Sequence, residues 1–116
     1  MNIEELRDYC LSMDGVTEKT PFGKFARRFE STLVFYVLDH MFCMADMDDF
    51  TSVSFRSTPE EIEEIESHYS AATTPLNQAM KFWVRINLNE DMPDREVYRL
   101  VSRAYDIIKD KYTKKK

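Results

Sequence analysis

Residues 25–56 read FARRFESTLVFYVLDHMFCMADMDDFTSVSFR, and the reading of this stretch decides the fold. Short apolar runs recur between tight polar breaks, and helical spacing is absent, so Phe25 to Arg56 reads as an antiparallel sheet. The candidate strands are Phe25 to Phe29, Leu33 to Leu38, Met41 to Met47 and Ser52 to Arg56. Glu30-Ser31-Thr32, Asp39-His40 and Asp48 to Thr51 separate them, each short enough for a hairpin. Leu33 to Leu38 is apolar throughout, which predicts a central strand covered on both faces. Val53 and Phe55 alternate with Ser52, Ser54 and Arg56, which predicts a half-exposed one.

The flanks change period. Asn2 with Glu5 three residues later fits a capping box, and Ile3, Leu6, Cys10 and Met13 follow at helical spacing, so Asn2 to Met13 reads as an amphipathic helix ended by Asp14 and Gly15. Val16 to Lys24 reads as a connecting loop. Thr58-Pro59-Glu60-Glu61 is a helix start, with a capping hydroxyl and Pro at the first helical position, and Ile62, Ile65 and Tyr69 mark its buried face. Ser70 to Pro75 reads as a loop. Lys81 to Leu88 alternates, with Phe82, Val84, Ile86 and Leu88 on one face and Lys81, Trp83, Arg85 and Asn87 on the other. Pro93 to Tyr112 returns to helical spacing through Val97, Leu100, Val101, Ala104, Tyr105 and Ile108. The expectation is an α+β, two-layer domain over residues 1–116: one antiparallel sheet of about five strands, the first and last helices packed on one face.

Composition agrees with a single folded unit. The chain of 116 residues has 43% apolar and 13% aromatic residues with only two Gly and four Pro, which indicates neither disorder nor low complexity. Cys10 and Cys43 each sit in an apolar segment and read as reduced core thiols. The acidic opening, Glu4 and Glu5, is unlike a secretory leader, and no apolar run approaches the roughly twenty residues that span a bilayer. A cytoplasmic protein without membrane attachment, monomeric or weakly dimeric, is expected.

Motif searching excludes more than it finds. Two glycines cannot build a Gly-rich phosphate cradle, no Ser sits in a Gly-flanked elbow, and neither Cys has a context that lowers its pKa. Asp46-Met47-Asp48-Asp49 lacks the Gly and closing Glu of a calcium loop and reads as a solvated turn. His40 and His68 have no partners at zinc-ligand spacing. No catalysis, no cofactor and no metal is expected. Net charge is −5, yet residues 95–116 carry eight basic and three acidic side chains. The simplest reading is a solvated tail on a helix whose C-terminal dipole suits cations. The face holding Lys81, Trp83 and Arg85 has two readings. An exposed Trp83 between two cations could stack a base beside phosphates; a buried one would cover the core under the adjacent helix while Lys81 and Arg85 snorkel around it, and this second reading is the stronger.

Several runs carry a family resemblance that spans essentially the whole chain: NIEELRDYCL at residues 2–11, GVTEKTPFG at 15–23, LVF at 33–35 with MF at 41–42, the lone Trp83, MPD at 92–94 and RAY at 103–105. Together they resemble the MmcQ/YjbR family. The resemblance implies a small two-layer domain similar in topology to secretion chaperones and frataxin-like proteins, described as a double-wing and labelled a DNA-binding family. Many members have His-Trp before the last strand, where this chain has Phe82-Trp83. The residues to which DNA contact would fall are Arg27, Arg28, Arg56, Lys81, Trp83 and Arg85. The alternative is a protein-protein interaction module resembling a secretion chaperone, which a net charge of −5 favours because it repels a polyanion unless charge is segregated.

Overall fold

The structure, a computed structural model, describes residues 1–21, 31–73 and 81–113. Helix α1 spans Ile3–Leu11. Its capping box closes as the spacing predicts: the Glu5 N–H donates to Asn2 Oδ1 at 2.8 Å and the Asn2 N–H donates to Glu5 Oε1 at 2.9 Å. Strands β1 Thr17–Lys19, β2 Thr32–Val37, β3 His40–Asp46 and β4 Ser52–Arg56 follow, then α2 Pro59–His68, β5 Ala72–Thr73, β6 Trp83–Asn87 and α3 Asp94–Thr113. Thr58 Oγ1 accepts the Glu61 N–H at 3.2 Å and so caps α2.

Among the described residues the sheet has six strands in the order β1-β2-β3-β4-β6-β5, every neighbour antiparallel. The expectation of about five missed β1 and β5, which were read as loops. Both are short strands at the two edges, and short polar edges are how sheets avoid pairing with other chains, so they carry no alternating apolar signal. The expected strand Phe25 to Phe29 lies outside the described residues.

All three helices lie on one face. Leu6 and Cys10 of α1, Ile62 and Ile65 of α2, and Val97, Leu100, Val101, Ala104, Tyr105 and Ile108 of α3 join one cluster with Leu33, Phe35, Phe42, Cys43, Val53, Phe55, Val84 and Ile86 from the sheet. A bulge tightens this contact. Phe35 opposes Cys43 but Tyr36 opposes Met41, leaving Phe42 as an extra residue on β3. The insertion breaks strict alternation, so Phe42 and Cys43 both turn inward, and the Phe42 ring meets Tyr105 edge-on at 5.7 Å. The hairpin joining β2 to β3 turns through Leu38 and Asp39, at φ 54 and 66, the left-handed pair that matches strand twist in a two-residue turn. Beyond β6, the Asp91 carboxylate accepts the N–H groups of Ser70 and Ala71 at 2.7 and 2.9 Å and so ties the α2–β5 connection to the loop before α3.

One alternation reads differently. Val84 and Ile86 enter the core as predicted, but Phe82 precedes β6 and is 36% exposed, while Trp83 is 6% exposed. Trp83 and the fully buried Val34 are absent from the main cluster and lie on the opposite side of the sheet from the helices.

Two predictions follow from packing and charge. Trp83→Ala should destabilise the fold by roughly 3–5 kcal/mol, as truncation of a buried Trp does; a blue-shifted emission from this sole Trp that moves red only on unfolding would accompany it, and an exposed-type spectrum in the native protein would contradict the packing. The second concerns acid. Hydrogen bonds from Arg7, at 2.9 and 2.5 Å, hold the Glu18 carboxyl below its usual range against the opposing effect of burial, and the Ser31 hydroxyl with the Asp48 and Asp49 N–H groups does the same for Asp46. A depressed folded pKa contributes stability above the unfolded carboxylate value, about 4, and loses it as pH falls through the folded value. Melting temperature should therefore drop below about pH 4, and the drop should be shallower in a Glu18→Gln, Asp46→Asn variant; an identical acid slope in that variant counts against these contacts.

Candidate nucleic-acid interface

Strand register collects the side chains that face away from the helices. Val53 and Phe55 of β4 point into the core, so Ser52, Ser54 and Arg56 point out the other side. Cross-strand partners share a face. Following the pairs from Ser54 gives a row across the sheet of Lys19, Val34, Met44, Ser54, Arg85 and Thr73. Beside it, Arg56 pairs with Trp83 and Tyr36 with Thr17.

Cations punctuate this face. Lys19 is exposed at one end, its Nζ 5.2 Å from the Tyr36 ring centroid. Arg85 is exposed towards the other, its Nε donating to Thr73 Oγ1 at 3.3 Å. Arg56 lies between, half-buried, with its guanidinium carbon 5.3 Å from the Phe82 centroid. Lys81, in the turn before β6, puts its Nζ 5.3 Å from the same ring. Arg56 Nε is shielded from solvent and has no hydrogen-bond acceptor among the described residues. None of these four cations forms an ion pair with a carboxylate among the described residues. A guanidinium donor held away from water without an acceptor is costly.

The helical side is arranged the other way. Arg103 reaches Glu61 at 2.8 Å and Arg99 reaches Glu96 at 2.5 Å, and in each pair the carboxylate's hydrogen bond is the main reason the guanidinium pKa is raised. Helix α2 carries Glu60, Glu61, Glu63, Glu64 and Glu66 with no Lys or Arg. Between α2 and α3 runs a groove of about 350 Å³ lined by Ile65, Tyr69 and Leu100 together with Glu64, Arg99 and Arg103.

Of the residues singled out from sequence, Arg56, Trp83 and Arg85 share the sheet face and Lys81 adjoins it. Arg27 and Arg28 lie outside the described residues. Trp83 shares the face but not the solvent, so the ring that stands exposed between Arg56 and Lys81 belongs to Phe82. Lys19 and Tyr36 were missed because β1 gave no strand signal and Tyr36 sits in an apolar run read as wholly buried. Elsewhere, Asp46 Oδ1 accepts from Ser31 Oγ and from the Asp48 and Asp49 N–H groups, so that acidic run is a self-capped turn. His40 stacks on Tyr112 at 3.5 Å, and His68 Nδ1 lies 2.9 Å from the Glu64 carbonyl oxygen. Cys10 and Cys43 are free and fully buried, and burial, then hydrogen bonding to Cys10, pushes the Cys43 thiol well up, which is the opposite of a nucleophile's environment. Among the described residues no three His, Cys, Asp or Glu side chains converge as metal ligands would, and no helix is long and apolar enough to cross a membrane.

Known proteins with this fold and sequence pattern bear on the same chain. The uncharacterized protein YjbR of Escherichia coli K12 is 24% identical over 106 residues, which cover 90% of this chain and 85% of that protein. The crystal structure of the Deinococcus radiodurans protein DR2400, a DUF419 domain, superposes with a TM-score of 0.80 at 24% identity, covering 99% of this chain and 83% of that one. A crystal structure from Pseudomonas syringae gives a TM-score of 0.71 at 15% identity, covering 92% and 98%. These structural likenesses speak for the α+β fold. The YjbR family model matches residues 11–107, a span that takes in part of α1, every described strand, α2 and most of α3, and the chain accordingly belongs to the YjbR family.

Proposed function

We propose that this protein is a non-catalytic DNA-binding domain that holds the phosphate backbone on the sheet face opposite its helices. The observation that carries the reading is a set of cations on one face: Lys19, Arg56 and Arg85 share it by strand register, and none forms an ion pair with a carboxylate among the described residues. Phosphate oxygens are the acceptors that such donors match. Net charge of −5 is unevenly placed: five of the 21 acidic side chains lie on α2, which packs on the other side of the sheet and carries no Lys or Arg.

A second reading, docking of a basic segment of another protein, has one observation in its favour: the groove between α2 and α3 has acidic Glu64 on its wall and an α2 of five glutamates beside it. The two readings put the partner on opposite sides of the molecule. Binding to a short labelled DNA, titrated against salt, separates them. The wild type should bind at low salt with affinity falling steeply as salt rises, and Arg56→Gln and Arg85→Gln should each lower that salt slope by about 1, whereas Glu64→Gln should leave it unchanged. Loss of DNA binding on Glu64→Gln with no effect at Arg56, or no binding at low salt, would overturn the proposal.

A further inference from the structure

The chemistry and dimensions of the face also select the form of the nucleic acid. Resting on the reading above, we infer that the ligand is single-stranded, with Phe82 as the residue on which a base stacks.

Three observations carry this. First, the helices are unsuited to a duplex groove. A reading helix offers free donors to base edges and phosphates, but two of the five cations of α3, Arg99 and Arg103, are tied to Glu96 and Glu61, which leaves Arg95, Lys109 and Lys111, and α2 beside them is acidic. Second, the two cations of the row, Lys19 and Arg85, stand farther apart than a groove is wide. From Lys19 to Arg85 the row crosses β1, β2, β3, β4 and β6, four spacings of about 4.8 Å, so about 19 Å against the roughly 12 Å of a major groove. A flexible strand can bring its phosphates to separated cations while passing around the covered part of the face at the fully buried Val34. Third, an aromatic surface stands among the cations. Phe82 is 36% exposed, with the Arg56 guanidinium and the Lys81 ammonium each 5.3 Å from its ring centroid. An aromatic ring that meets a base while neighbouring cations meet the flanking phosphates is the general device by which single strands are held without sequence preference. Trp83, although the larger ring, is buried and offers no face.

DNA and RNA single strands share the recognised chemistry, base face and phosphate, so short oligo-dT and oligo-rU are both probes, with the matching DNA duplex as comparison at one salt concentration. The full-length wild type should bind at least one single strand about tenfold or more tightly than the duplex. Phe82→Ala should weaken single-strand binding by about 5- to 150-fold without altering the salt slope, because no phosphate contact is lost, and Phe82→Tyr should restore affinity. Phe82 is exposed, so an unchanged melting temperature certifies the fold of each variant. Equal or tighter binding of the duplex, or unchanged single-strand affinity in Phe82→Ala, overturns this inference while leaving DNA binding standing. Failure of the wild type to bind any of the probes at low salt removes both.

Discussion

Burial of the apolar stripe of α3 against β2, β3 and β4 is the contact on which the other elements depend. Val97, Leu100, Val101, Ala104, Tyr105 and Ile108 recur along one side of a 20-residue helix, and each large side chain taken out of water contributes roughly 1.5–3 kcal/mol. The sheet meets that stripe with more side chains than strict alternation supplies, because the bulge in β3 turns both Phe42 and Cys43 inward. Helices α1 and α2 then fill the same layer from either side, Leu6 and Cys10 on one, Ile62 and Ile65 on the other. With all helical cover on one side, the outer sheet face carries the buried Val34 and Trp83 together with polar and charged side chains, among them the cations Lys19, Arg56 and Arg85, which form no ion pair with a carboxylate among the described residues.

The same physics explains which parts of this arrangement could be seen in the sequence. Periodicity is strong wherever one face is buried over several residues, so α1, α2, α3 and strands β2, β3, β4 and β6 were legible to within a residue or two at their ends, and the Asn2 and Thr58 caps fell where hydroxyl and amide spacing put them. Strands β1 and β5 were not, since Thr17-Glu18-Lys19 and Ala72-Thr73 bury nothing in a repeating pattern and owe their extension to hydrogen bonds from a neighbour.

The interface was half legible. Arg56 and Arg85 were found because they alternate with apolar partners on strands. Trp83 is buried, as the stronger of its two readings has it, and on the face that alternation assigns; Phe82 is what alternation misses, because it assumes that the strand begins at Lys81, whereas β6 begins at Trp83, and the residue before it escapes the register. Once the strand starts there, Trp83 is buried on the outer face and Phe82 emerges beside Arg56 and Lys81. A strand boundary placed two residues early thus assigns Phe82 to the core, whereas the structure leaves its ring partly exposed.

The uneven division of charge across the sheet has a consequence for encounter as well as for contact. Among the described residues the five glutamates of α2 lie on the helical side and Lys19, Arg56 and Arg85 on the outer sheet face, and this asymmetry, partly offset by the basic residues of α3 and by Asp46, gives the two layers different charge despite a net negative total. A uniformly acidic protein approaching a polyanion is repelled in every orientation, but a dipolar one experiences a torque that turns its positive side forward before contact. Because that torque acts over about a Debye length, roughly 8–10 Å at ordinary salt, the fold itself biases the orientation in which a polyanion is met, and rotational search is shortened without any residue being added to the site.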